Sequence, residues 1–224
     1  WILQMDATVG AVNDALARTG ADADTLVLFA SDNGSPGRNG SAEAPGSVVE
    51  TFGHNPNGVL RGMKGDAWEG GHRVPLLAKW PGRIRAGARS DRLVCLMDLF
   101  ATCADLLGAE APAGAAEDSV SLLPLLTGAA DEAVRSALVH HSFHGLFAMR
   151  QDAWKYIPGP GSGGFSAFGG PRQDVPPTGL FDTPEQLYDL ADDLREQHNL
   201  WGDRQAIVAG LAHALATCRF GPGA

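Results

Sequence analysis

Thr25 to Gly34 limits the folds open to this chain more than any other stretch. Leu26, Val27, Leu28, Phe29 and Ala30 form an unbroken apolar run that stops at Ser31-Asp32-Asn33-Gly34. An apolar run without polar alternation predicts a strand buried on both faces, as in a parallel sheet covered by helices. Asp32 and Asn33 then fall just past the strand's carboxyl end, the edge at which open α/β sheets bind ligands. A carboxylate and an amide oxygen side by side are hard donors suited to calcium or magnesium. The same residues also make an ordinary turn, because Asp and Asn side chains bond their own backbone and Gly accepts positive φ.

The flanking pattern is that of an α/β unit. Ile2, Met5, Val9, Val12 and Leu16 recur at spacings of three and four, one face of an amphipathic helix that Gly20 stops. Residues 35–58 are rich in Gly, Ser, Pro and Asn and predict a long loop, a feature that in compact domains usually carries function or is disordered. The run from Val59 to Pro75 follows, with Arg61, Lys64 and Glu69 set among glycines that let the backbone approach a small ligand closely. A solvated, glycine-rich turn with surface cations accounts for these residues as well. A second strand is predicted at 74–80. Asp98 is expected to cap a helix running through Leu99, Phe100, Cys103, Leu106 and Leu107 to Gly108. A turn or two of helix is expected at 121–126, with Pro124 early in it.

Beyond about Ala129 the pattern changes to short strands. Runs at 137–144, 146–150 and 153–157, the first pair turning around Gly145, predict neighbouring antiparallel strands. Residues 158–179 read as a Gly- and Pro-rich loop, 186–190 as a last strand and 205–218 as a terminal helix, together a small α+β module.

Composition excludes several functions. The 224 residues carry 17 Lys plus Arg against 26 Asp plus Glu, a net charge of −9, which speaks against a nucleic-acid surface. An anion site must then be a local cluster of cations working against the global field. No run approaches the roughly 18 consecutive apolar residues of a membrane span. Cys95, Cys103 and Cys218 form neither a disulfide framework nor a CxxC pair, and the first two are expected to be small core residues. The chain opens on Trp1 within a predicted helix, so a truncated N-terminus is expected.

The ordered set of motifs is more specific than any one of them. Met5-Asp6 with Val9-Gly10, Leu26 to Gly34, Leu60 to Pro75, Lys79-Trp80-Pro81-Gly82 and Asp98-Leu99-Phe100 are followed by Ser121 to Leu126, Gln186 to Leu190 and Glu196 to Leu200. In this order and spacing the chain resembles the C-terminal half of the formylglycine-dependent sulfatases, arylsulfatase type, of the alkaline-phosphatase-like superfamily. The resemblance implies an α/β fold with a mixed or parallel sheet and flanking helices, followed by a small α+β subdomain with an antiparallel sheet. Residues 1–128 would be the C-terminal part of the catalytic domain and 129–224 the subdomain. It implies that Asp32 and Asn33 ligate the active-site cation, Ca2+ or alternatively Mg2+, and that Lys64 binds a sulfate oxygen near the leaving group. His54 is a candidate contact to the alcohol part of the substrate, with His140, His141 and His144 weaker ones; a surface or structural role is the better expectation for each. Arg61 either adds cationic field or bonds a loop carbonyl.

The partner so implied is a sulfate monoester, a small molecule or a sulfated glycan. The nucleophile of this family is a formylglycine made from Cys or Ser in a Cys/Ser-x-Pro/Ala-x-Arg motif. No cysteine here lies in that motif, and Ser35-Pro36-Gly37-Arg38 has the wrong spacing. The nucleophile and two acidic metal ligands are therefore expected in the N-terminal half, and the 224-residue chain alone is expected to have no turnover. Rival readings are a phosphodiesterase or phosphonate hydrolase of the same superfamily, and a non-catalytic binding module that keeps the fold. Family members are often exported, so a periplasmic or secreted location is the expectation.

Overall fold

The structure, a computed structural model, describes residues 2–36, 51–110, 112, 114–129, 133–168 and 184–221. In chain order its regular elements are α1 (Ile2–Thr19), β1 (Val27–Ala30), α2 (Glu69–His72), β2 (Leu76–Lys79), α3 (Asp98–Leu106), α4 (Leu123–Thr127), β3 (Ala137–His141), β4 (Phe147–Gln151), β5 (Trp154–Ile157), β6 (Gln186–Asp189) and α5 (Gln205–Phe220). They pack as two compact units, Trp1–Ala30 with Pro75–Arg135 and Ser31–Val74 with Ser136–Ala224. Packing thus groups the Asp32 to Val74 stretch with the C-terminal strands, whereas the composition change falls near residue 129.

In the first unit α1 ends where Gly20 takes φ 74°, as the periodicity predicts. On its apolar face Val9 and Leu16 are half-buried, while Ile2, Met5 and Val12 are exposed. β1 pairs with β2, and the pairing is antiparallel, Val27 opposite Lys79 and Ala30 opposite Leu76. The expected burial of β1 on both faces is also absent, since its residues are half-buried or exposed. A short apolar run specifies a strand, but nothing in it fixes the direction of its partner or what covers its faces.

Asp98 is the first residue of α3, and it acts as a tie rather than as the expected cap. Its fully buried carboxylate accepts the Cys95 N–H at 2.7 Å and the Val120 N–H at 3.1 Å, and it pairs with Arg135. Thr102 extends the tie by accepting the Leu122 N–H at 2.8 Å. α4 has Pro124 in its first turn and stops at Gly128, which is left-handed. Cys95 is half-buried, but Cys103 is exposed and so is no core residue, because it falls on the outer side of α3.

The second unit is built on the antiparallel sheet β3-β4-β5-β6, in which the first three strands are neighbours as expected and β6 adds beside β5. Alternating residues supply two cores. Met149, Tyr156 and Leu187 pack with Val208, Leu211 and Leu215 of α5. On the other face, Ala148, Ile157 and Tyr188 pack with Ala67 and Trp68, from the stretch that precedes and enters α2. Each large apolar side chain so buried contributes about 1.5–3 kcal/mol. The glycine-rich stretch is thereby fixed to the sheet by its own apolar residues.

Candidate active site

The stretches that carry the site residues are joined by backbone. Gly34 N–H donates to Gly71 O at 3.0 Å, and Lys64 N–H to Ser35 O at 2.9 Å. The Asn57 side chain latches a third strand of chain to both, accepting the Ser35 N–H at 3.0 Å and donating to Gly62 O at 3.0 Å. Asp32 and Asn33 thus lie three and two residues before Ser35, whose carbonyl accepts the Lys64 N–H. Asp32 is exposed, Asn33 half-buried and Lys64 exposed, and Ser31 Oγ donates to Asn33 O at 2.8 Å. His54 is exposed, three residues before the Asn57 latch.

Glycine matters here for close approach. A Cβ on Gly34 would lie 1.7 Å from the Gly70 carbonyl oxygen, and one on Gly71 would lie 2.2 Å from Asp66 O. The Gly-Gly pair therefore admits other backbone, where the sequence had suggested admission of a ligand. Gly34→Ala should lower stability by about 3 kcal/mol, the upper end for overpacking. Gly202→Ala, where a Cβ meets nothing within 4 Å, should be nearly neutral. Urea unfolding of the two variants checks this, and equal midpoints would contradict the packing.

Asp66 shapes the Lys64 turn. Its buried carboxylate accepts the Met63 N–H at 2.8 Å and, across the unit, the Ser166 N–H at 3.0 Å. Gly62 and Gly65 on either side of Lys64's turn have φ of 81° and 85°, so the reversal needs glycine there.

Behind the turn lies an ion network that the sequence did not announce. Lys155 Nζ, fully buried, lies 3.1 Å from both Glu69 Oε1 and Glu196 Oε1. Glu196 Oε2 also accepts the Glu69 N–H at 2.7 Å. Arg61 stacks its guanidinium 3.7 Å from the centre of the Trp68 ring and donates to Tyr188 Oη and Glu196 O. Arg61 is therefore structural. Burial pushes the Glu69 carboxyl up, but Lys155 and then Arg150 outweigh it and lower it to about 2. Burial, opposed by Lys155, raises Glu196. The one available signal was Lys155 itself, a cation inside the otherwise apolar strand β5.

The weaker histidine candidates separate. His140 donates from Nε2 to Ala67 O at 3.1 Å, and its ring centre lies 4.2 Å from that of His72. Burial, with Lys155 adding to it, lowers His72 to about 4 and holds His140 well below its ordinary value. His141 bonds Ser142 O, and only His144 lies at the exposed hairpin tip.

These directions fix an acid response. Between pH 6.5 and 4 the unfolded chain takes up a proton at His72 that the folded chain refuses, so stability falls as pH drops through that window. Glu69 adds a loss of the same sign between its ordinary 4.5 and about 2, while Glu196, raised by burial, works in the opposite sense. The urea midpoint should therefore fall from pH 7.5 to 5, and less steeply in His72→Gln. A midpoint flat over that range would contradict the buried neutral pair.

Two oxygen donors of hard character fit part of a divalent-cation site, which takes roughly six to eight oxygens. Among the described residues no group of three or more His, Cys, Asp or Glu could hold a metal ion. No helix among them is long and apolar enough to cross a membrane.

Two family models match, Sulfatase over residues 1–109 and the C-terminal domain of N-sulphoglucosamine sulphohydrolase over residues 64–156. The chain belongs to the sulfatase family. It is 32% identical to human arylsulfatase A over 96% of its own length and 41% of that protein's. It is 29% identical to an N-acetylgalactosamine-6-O-sulfatase of Bacteroides thetaiotaomicron over 97% of its length and 41% of the relative's. The chain thus spans about two fifths of these relatives. Among solved structures, a B. thetaiotaomicron 6S-sulfatase from a core locus for metabolism of multiple glycosaminoglycans matches with TM-score 0.79 and 28% identity, over 97% of this chain and 43% of that one. The phosphonate monoester hydrolase of Agrobacterium radiobacter matches with TM-score 0.66 and 25% identity, over 97% and 39%. The sulfatase's partial α/β fold therefore carries an antiparallel C-terminal sheet, as the resemblance implied.

Proposed function

We propose that this sulfatase chain is the C-terminal part of an enzyme that hydrolyses sulfate monoesters, with residues 1–128 completing its catalytic domain and 129–224 forming a subdomain. The observation that carries the reading is the Lys64 N to Ser35 O bond, which ties the Asp32-Asn33 turn to the Lys64 turn. In this reading Lys64 holds a sulfate oxygen as a compact point charge, and it steadies the negative charge that grows as the ester bond breaks. Asp32 and Asn33 supply two oxygens to a divalent cation, Ca2+ or Mg2+. The exposed His54 contacts the alcohol. When present, the cation polarises the sulfate and a formylglycine supplies the nucleophilic oxygen. Both the formylglycine and the remaining acidic ligands would come from the part of the relatives that this chain does not match. Sulfated small molecules and sulfated glycans are the substrate classes, given that human arylsulfatase A and the B. thetaiotaomicron 6-O-sulfatase are the relatives matched.

A second reading, phosphonate or phosphate-ester hydrolysis, is favoured by the likeness to the phosphonate monoester hydrolase. Parallel assays of the enzyme that carries this chain, with p-nitrophenyl sulfate and a phenyl phosphonate monoester, decide between them. The first reading expects sulfate release to exceed phosphonate release in kcat/KM, and the reverse order would favour the second.

A further inference from the structure

The β3–β4 hairpin ends in an aromatic residue at a point where turns are usually polar. Phe143 is 64% exposed there. Its position is fixed, because its N–H donates to Gly65 O at 2.7 Å, and Gly65 directly follows Lys64. The Phe143 ring centre lies 4.9 Å from that of Phe165, tilted by 45°, and 5.0 Å from that of His144, which meets it edge-on at 84°. A Cβ on Gly65 would come within 3.3 Å of both Phe143 Cβ and Phe165 Cδ2. His144 is anchored in turn by its N–H to Gly163 O at 3.0 Å. The result is an aromatic ledge that abuts Gly65, the residue after the exposed Lys64.

We propose that Phe143, seated on Phe165 and flanked by His144, is the stacking platform for the ring of the alcohol from which sulfate is removed. The inference rests on Lys64 holding the sulfate. In that reading Lys64 holds a sulfate oxygen beside the ester bond, and Gly65, which directly follows it, accepts the Phe143 N–H, so the ledge stands on the same turn as the sulfate site and is the aromatic surface that turn offers to a ring on the alcohol. A phenyl face offers dispersion contact to the flat apolar face of an aryl group or of a pyranose alike.

The test uses the enzyme that carries this chain, with p-nitrophenyl sulfate, a 6-sulfated N-acetylhexosamine, and inorganic sulfate as competitive inhibitor. Phe143→Ala should raise KM for a ring-bearing ester by about tenfold, the size of one aromatic stacking contact. The Ki of inorganic sulfate, which has no ring, should stay within about twofold, and Phe143→Tyr should restore KM. The ester with the larger loss identifies the ring the platform serves. Unchanged KM for both esters overturns the inference while the Lys64 reading stands. A Ki that rises in step with KM overturns it too, since Phe143 would then only support the turn. Absence of cleavage of either sulfate ester, with Ki unaffected by Lys64→Ala, removes the underlying reading and the inference together.

Discussion

Replacing Lys64 by Ala in the enzyme that carries this chain should lower kcat for sulfate-ester hydrolysis by about 10²–10³-fold, the usual cost of one positioned charge-stabilising donor. The effect should fall mainly on kcat, because the ammonium gains most where charge accumulates on the sulfate and leaving oxygens. Stability should barely change, since Lys64 is exposed and its backbone N–H, which the substitution retains, makes the bond to Ser35 O. Lys64→Arg should recover only part of the rate, because a planar fork does not occupy the place of a compact ammonium. Steady-state kinetics on p-nitrophenyl sulfate check this. A Lys64→Ala enzyme with kcat within about threefold of the parent would remove Lys64 from the reaction.

The largest structural effect is expected at Lys155. It is completely buried, and it is the cation lying 3.1 Å from each of two buried carboxylates, Glu69 and Glu196. Lys155→Met keeps the apolar stem but leaves those carboxylates facing one another, and breaking such a pair costs about 3–5 kcal/mol. One carboxyl must then take a proton to fold, so the variant should lose less stability at pH 5 than at pH 7. Adding Glu69→Gln to Lys155→Met should recover part of the loss, the non-additivity expected of neighbours in one network. Urea unfolding at the two pH values reads all three outcomes. A Lys155→Met midpoint equal to the parent's at pH 7 would contradict the network.

Local pattern carried much of the fold. The strands β3 to β6 could be read because Gly145 punctuates the first hairpin and alternate residues face two different cores. α5 could be read because Val208, Leu211 and Leu215 share one face. What local pattern lacks is partner identity. The run at Leu26 to Ala30 predicts a strand, but its antiparallel pairing with β2 depends on residues about fifty positions away. The Asp98 carboxylate was expected at a helix cap, yet it binds Val120 and Arg135, which only the fold brings near.

The motifs that carried the resemblance divide on inspection into two kinds. Arg61, Glu69, Gln186, Tyr188 and Glu196 all fall within them, and in the structure they bond to one another in the core of the second unit. These residues hold the Lys64 turn against the sheet. Asp32 and Lys64 are exposed and Asn33 is half-buried, outside that buried network. A motif read by residue type alone mixes the two, since a buried Glu69 and an exposed Asp32 look alike in sequence.

The most direct measurement is a crystal structure of the enzyme that carries this chain, grown with calcium and a sulfate ester or inorganic sulfate. The account predicts a cation held by Asp32 and Asn33 at about 2.3–2.6 Å, with a sulfate oxygen within about 3 Å of Lys64 Nζ. A sulfate bound elsewhere, with Lys64 pointing into solvent and no cation at Asp32 and Asn33, would contradict it.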